Sequence, residues 1–188
     1  MKKILTIPMQ KEVLSGLRAG DALLLSGDLY TARDAAHKRL FDLLRKGRKI
    51  PIDLRSVILY YTGPTPTPPG RPIGSAGPTT AGRMDSYTPF LLERGLRAMI
   101  GKGPRSNEVK DAIKKYGAVY MAAIGGLGAY LGRCVTSCKV VAFRELGPEA
   151  IYRLGVKDFP VVVINDGTGG DFYEATLKRW SRAGRIRR

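Results

Sequence analysis

Two adjacent hydroxyls stand just ahead of a guanidinium in Pro78-Thr79-Thr80-Ala81-Gly82-Arg83-Met84-Asp85, at the end of a Pro- and Gly-rich stretch. Arginine offers a planar fork that matches a carboxylate through two parallel bonds. Glycine lets the main chain come close to a ligand, and nearby prolines reduce the entropy lost on ordering. The segment therefore suits a small carboxylate or phosphate, although the same residues also make an ordinary surface turn. A second cation, Arg33, falls at the expected start of a helix, where free N–H groups and the dipole favour an anion. His37, the only histidine, follows four residues later on the same face. The competing reading leaves Asp34 as a helix cap and His37 on the surface. Gly101-Lys102-Gly103 presents a third cation between two glycines. Arg33, Arg83 and Lys102, with Thr79 and Thr80, suit a small dicarboxylate, each charge-assisted bond contributing about 1.5–3 kcal/mol. A threonine hydroxyl is a weak base unless a cation and an ionised neighbour reshape its surroundings. No conventional acid/base pair or metal set accompanies these residues, so they read as half of a site.

Other chemistries fit less well. Gly95 to Gly101 is one residue too long for a phosphate-binding loop, and Gly103 stands where Ser or Thr is needed. Gly126-Leu127-Gly128 with Gly132 misplaces the third glycine of a dinucleotide fingerprint. Cys134 and Cys138 lack a third ligand and are expected to be idle or buried thiols rather than a metal site. The net charge of +16 over 188 residues draws anions. Part of it lies in Lys178, Arg179, Arg182, Arg185, Arg187 and Arg188, a basic tail that reads as solvated and leaves a nucleic-acid-binding module as an alternative. The start has no apolar run of signal-peptide length, and Tyr116 to Gly132, though uncharged, contains five glycines and is too short to span a membrane. The expectation is a cytoplasmic protein with no membrane partner.

These residues must be held by an α/β framework. Asp21 to Ala32 is expected to form strand, turn and strand about Ser26-Gly27-Asp28. Thr31 is then expected to cap an amphipathic helix over Ala35 to Lys46, with Asp34 at the capping-box spacing. Val57 to Tyr61 reads as a strand, followed by a loop from Thr62 to Asp85 long enough to be functional. Thr88-Pro89 opens a short helix, Arg97 to Ile100 is a strand, Ser106 caps Asn107 to Tyr116, and Ala118 to Ile124 is a buried strand leading into a further short helix. Val140 to Phe143 and Val161 to Ile164 are expected strands, with Asn165-Asp166-Gly167 turning the latter back onto Phe172-Tyr173 as a hairpin. Strands mixed with helices imply an α/β or α+β domain.

Tyr30-Thr31-Ala32-Arg33-Asp34-Ala35-Ala36-His37-Lys38-Arg39, Gly63 to Asp85, Ile100-Gly101-Lys102-Gly103 and Val156-Lys157-Asp158-Phe159-Pro160 together resemble a known family. It comprises the beta subunit, or C-terminal domain, of class I iron–sulfur fumarate hydratases and the related tartrate dehydratases. The resemblance runs from about Leu5 to Tyr173. It implies an α/β swivelling β/β/α domain with a mixed sheet and flanking helices over residues 1–177, ahead of the tail at 178–188. It also implies reversible hydration of fumarate to (S)-malate, with L-tartrate dehydration as the alternative. A 4Fe-4S cluster would be held by a separate alpha subunit in a hetero-oligomer, with no metal ligands on this chain. Arg33, Arg83 and Lys102 would grip the dicarboxylate, Thr80 would help shape the loop, and Thr79 would be the catalytic proton acceptor, helped by an acidic residue of the alpha part. Asp34 and His37 would support them. The basic tail and Cys134 and Cys138 lie outside the resemblance.

Overall fold

Along β3 (Ile58–Tyr60), β4 (Ala98–Gly101) and β5 (Val119–Ala122), successive side chains enter two different apolar clusters. Ile58, Tyr60, Ala98, Ile100, Val119 and Met121 join one, whereas Leu59, Met99 and Tyr120 join the other. A two-residue period buried on both faces is the signature of central parallel strands. The three pair in parallel, β3 with β4 and β4 with β5. This architecture is that of a computed structural model, described for residues 3–182.

The sheet is completed by β1 (Lys3–Thr6), from which the chain passes through the short helix α1 (Lys11–Gly16), and by β2 (Ala22–Thr31), β6 (Val135–Ala142) and β7 (Ile151–Asn165). Its order is β1-β2-β3-β4-β5-β7-β6, with β2 also paired to β7. β1, β2 and β3 run parallel, whereas β7 is antiparallel to β2, β5 and β6. The long β2–β7 ribbon thereby returns the sheet on itself, and Leu23, Leu25, Leu29, Leu154, Phe159 and Val161 fill the space between its two halves. The second cluster lies under helices. Ala36 and Leu40 come from α2 (Asp34–Arg45), Leu91 and Leu92 from α3 (Thr88–Glu93), and Val109, Ala112 and Ile113 from α4 (Asn107–Tyr116). Sheet against sheet and then helices is the expected β/β/α layering, a mixed sheet with flanking helices. α4 forms where expected, with Ser106 Oγ accepting from Val109 N–H at 3.3 Å and Gly117 closing it at φ 61°.

Several local expectations are corrected. Asp21 to Ala32 is not a hairpin. Ser26-Gly27-Asp28 is absorbed as a bulge inside the single strand β2, where the register with β7 shifts between Leu25 and Gly27. Gly27 has φ 127°, and a Cβ there would lie 2.5 Å from the Ile7 carbonyl, so glycine serves close approach rather than reversal. Thr31 does not cap α2. It stays in β2, its hydroxyl donating to Ala150 O at 3.1 Å and accepting from Tyr152 N–H at 2.9 Å. The cap arrives from far along the chain: Glu149 Oε2 accepts the Ala35 N–H at 2.7 Å.

Asn165-Asp166-Gly167 turns the chain, but Phe172 and Tyr173 open α6 (Phe172–Arg182) rather than a strand. The Asp166 carboxylate collects the N–H groups of Ala19, Thr168 and Gly170, which fixes a loop instead of a hairpin. The stretch around Val161 is the last part of β7, and the strand at Val140 begins at Val135. Position 178, where the basic tail was expected to start, falls inside α6, and residues 183–188 of that tail lie outside the described residues. Cys134 ends α5 (Gly128–Arg133), and Cys138 lies in β6.

Candidate functional site

Because β2, β3, β4 and β5 run parallel, their carboxyl ends emerge on one side of the sheet. Arg33 and Asp34 follow β2, Tyr61 to Gly63 follow β3, Lys102 follows β4, and Gly125 follows β5. Ligand sites form at such ends of parallel strands in closed and open α/β sheets alike. The long loop is tied down there. Tyr60 OH donates to Ala76 O, Thr62 Oγ1 donates to Gly77 O at 2.7 Å, and Thr65 N–H donates to Ser75 O at 2.9 Å. Thr79 N–H then donates to Tyr61 O at 2.6 Å, Lys102 N–H to Thr79 O at 3.1 Å, and Ala81 N–H to Lys102 O at 2.8 Å. Thr80 and Lys102 thus form a parallel bridge beside β4. A Cβ on Gly101 would stand 2.9 Å from the Tyr61 ring and 3.1 Å from Ala81 Cβ, so this approach needs glycine.

Asp34 joins the two expected arginines. Its Oδ2 lies 3.1 Å from Arg33 Nε and its Oδ1 lies 2.8 Å from Arg83 Nε. Glu149 Oε1 stands behind Arg33 Nε at 3.4 Å. Both arginines are held by the Nε edge, so the described contacts leave the terminal nitrogens of each fork to a ligand. Burial pushes the Asp34 carboxyl up, but hydrogen bonds from its own backbone N–H and from Arg33 and Arg83 outweigh it and hold it below the usual carboxylate range. Lys102 is exposed, and no ion pair of its ammonium occurs among the described residues. Thr79 is half-buried, with its main chain fixed on both sides and its hydroxyl outside every hydrogen bond among the described residues. Thr80 is exposed. The geometry therefore joins Arg33 to Arg83 through Asp34, and Thr79 and Thr80 to Lys102 through the main chain.

His37 is fully buried rather than on the surface. Its Nδ1 lies 3.1 Å from Arg33 O, and its ring meets the edge of Tyr61 with centroids 5.0 Å apart. Burial pushes the imidazole down to about 4, and the Arg105 charge adds to this against the hydrogen bond to Arg33. It is a neutral prop beneath Arg33 rather than a cation at the site.

Three supporting residues escaped the sequence reading. Glu149 is distant in the chain from the helix it caps. Arg105 is buried, its Nη1 donating to Tyr61 OH at 3.2 Å and its Nη2 to Thr88 Oγ1 at 2.6 Å, with Nε 2.8 Å from Asp85 Oδ1. Asp85 Oδ2 in turn accepts the Ser106 N–H at 2.7 Å. This lock fixes the loop bearing Arg83 against α4. An arginine two residues after Gly103 was the available signal, but no periodicity or motif marks it as buried.

The profile of the family described as Fumarase C-terminus matches residues 2–176. The chain belongs to that family. It is 40% identical over 184 residues to "Fumarate hydratase class I, anaerobic" of Escherichia coli (strain K12), covering 95% of this chain and 33% of that protein. It is 40% identical over 169 residues to "Fumarate hydratase 2" of Leishmania major, covering 89% of this chain and 30% of that one. The chain therefore spans about a third of these relatives. A relative of matching size is the "Putative L(+)-tartrate dehydratase subunit beta" of Methanocaldococcus jannaschii, 37% identical over 177 residues and covered to 91% on both sides. The recognised resemblance and the fold it implied are thus borne out.

Proposed function

We propose that this chain is the beta subunit of a cytoplasmic hydro-lyase that reversibly adds water to fumarate to give (S)-malate. The observation that supports it most is the pair of guanidiniums fixed by one carboxylate at the carboxyl ends of four parallel strands. Arg33 and Arg83 turn their free fork edges to the substrate's carboxylates, and Lys102 adds a point charge for a third oxygen. Thr79 is the catalytic residue of this chain. In the dehydration direction its oxygen takes the proton from the carbon beside the hydroxyl-bearing one as its own hydroxyl proton passes to a carboxylate of the partner. The C–H electron pair becomes the C=C bond, the C–O bond breaks and the departing hydroxyl leaves with that proton as water; hydration runs the same transfers in reverse. An acidic group of the partner relays the proton onward, which a threonine needs because its own alkoxide is strongly disfavoured. Thr80 shapes the loop, and Asp34 and His37 support Arg33. Residues 1–177 carry this role, with 178–188 as a basic appendage.

The class I relatives point to an iron–sulfur enzyme, but the residues of this chain do not fit a 4Fe-4S cluster. Among the described residues no three His, Cys, Asp or Glu side chains gather around a common point. Cys134 and Cys138 pack against the apolar core, where burial pushes both thiols up. In this reading the cluster belongs to an alpha subunit. Among the described residues no helix is long and apolar enough to cross a membrane.

The test is co-expression with an alpha subunit followed by anaerobic cluster reconstitution. The assembled pair converts fumarate to malate and the isolated chain does not; turnover by the isolated, iron-free chain refutes the division of labour. The matching length of the Methanocaldococcus jannaschii relative favours a second reading, an L-tartrate dehydratase beta subunit. Comparing the pair's kcat/KM for malate and L-tartrate decides between them.

A further inference from the structure

Ile124, Leu127 and Tyr130 are 59%, 41% and 53% exposed within a span of seven residues. Of residues 124–130 only Gly128 is buried, and none is charged, although charged residues make up 26% of the chain and its net charge is +16. Three exposed large apolar side chains in one uncharged run have the composition of an interface core rather than of ordinary solvent-facing surface.

The patch stands on a fixed base. A Cβ on Gly128 would meet Gly77 N at 3.0 Å, and one on Gly132 would meet Gly74 O at 2.3 Å. Ala76 N–H donates to Gly128 O at 3.0 Å, and Leu131 is buried beneath. α5 is therefore pressed onto the very stretch that runs into Thr79. On its other side the patch touches the cationic site, because a Cβ on Gly125 would lie 3.4 Å from Lys102 Cδ.

We infer that the β5–α5 segment, Ile124 to Tyr130, is the surface on which the companion alpha-type subunit docks to close the site. This rests on the beta-subunit reading above. Two observations select that occupant. The patch is continuous with a site whose described side chains can bind and orient an acid but in which the Thr79 hydroxyl has no hydrogen bond to any carboxylate among the described residues; the Asp34 and Glu149 carboxylates are engaged by arginine instead. The matched relatives also carry this domain both within a chain about three times as long and as a separate subunit of equal length. The partner face must then be apolar opposite Leu127 and Tyr130 and acidic toward Lys102 and Thr79. Rigid apolar anchors beside the charges supply affinity, and covering them removes water from the carboxylate-binding forks.

The experiment measures the dissociation constant between the full chain and the reconstituted alpha subunit, alongside fumarate hydration by the pair. Leu127→Asp with Tyr130→Asp is expected to weaken assembly at least tenfold. Activity should return when the alpha subunit is raised to saturation, and the isolated chain's unfolding temperature should stay unchanged. Ile4→Asp, at a 71% exposed position on β1, is expected to assemble as wild type. If the double aspartate variant unfolds early, Leu127→Ser with Tyr130→Ser provides the same comparison. Wild-type assembly by a folded double variant overturns the surface and leaves the functional reading intact. Self-association of the isolated chain, abolished by the same variants, assigns the face to a second copy and overturns it too. A wild-type chain that neither binds nor activates the alpha subunit overturns both the surface and the reading beneath it.

Discussion

The molecule holds two arginine–aspartate arrangements that come within two residues of each other at Arg83 and Asp85, and they are built for opposite ends. Arg105 is buried with Nε on Asp85 and both terminal nitrogens occupied by Tyr61 and Thr88. Arg33 and Arg83 share Asp34 through Nε alone and remain 25% and 51% exposed. The first has all three nitrogens engaged inside the fold, Nε through an ion-pair contact rather than a hydrogen bond, and the second keeps its forks free. The comparison teaches that a guanidinium's role is read from which nitrogens are already engaged, not from its having an acidic neighbour.

Breaking the buried arrangement has the largest expected effect. Arg105→Ala strands the Asp85 carboxylate and is expected to cost about 3–5 kcal/mol of stability, read from urea unfolding of the isolated chain. The prop between the two arrangements comes next. His37 is neutral in the fold down to about 4, against an ordinary 6.5. Above pH 6.5 it is neutral in both folded and unfolded states, so it imposes no penalty. As pH falls from 6.5 toward 4 the unfolded chain takes up a proton that the fold refuses, and stability drops by up to about 3 kcal/mol before levelling off. His37→Gln is expected to flatten the stability–pH curve over that window, most cleanly above pH 5, where carboxylates contribute little.

Opening the exposed arrangement affects turnover more than folding. Arg83→Ala is expected to lower kcat/KM for fumarate at least tenfold in the assembled pair. Its exposed ion pair should contribute less than about 1 kcal/mol to stability. Unchanged kinetics sink the loop assignment. The smallest effect belongs to Asp34→Asn, which keeps one acceptor oxygen for one guanidinium, turns an NH2 donor toward the other and removes the charge. A KM rise of about two- to fivefold with nearly constant kcat is expected from steady-state rates, because the forks are loosened and not lost.

The same contrast explains what the sequence revealed. Arg83 and Lys102 were legible because glycines flank exposed cations, and Arg33 because it precedes an amphipathic helix. β3, β4 and β5 were legible as short apolar runs. β2 and β7 were not legible whole, since Ser26-Gly27-Asp28 reads as a turn and only Val161 to Ile164 of β7 reads as an apolar run. In fact Gly27 permits a bulge against Ile7, and Asp158, at φ 52°, sits opposite the same irregular stretch of the ribbon. Arg105 and Glu149 act through partners far away in the chain, which no local pattern records. Asp34 was found for the wrong reason: it had the spacing of a capping box, yet its carboxylate serves two guanidiniums.

The central claim is that two forks held by Asp34 grip a dicarboxylate. It is tested most directly by titrating (S)-malate into the assembled pair carrying Arg83→Lys, which keeps the charge but loses the planar fork. The account predicts at least tenfold weaker binding than wild type with assembly intact, whereas equal affinity contradicts it.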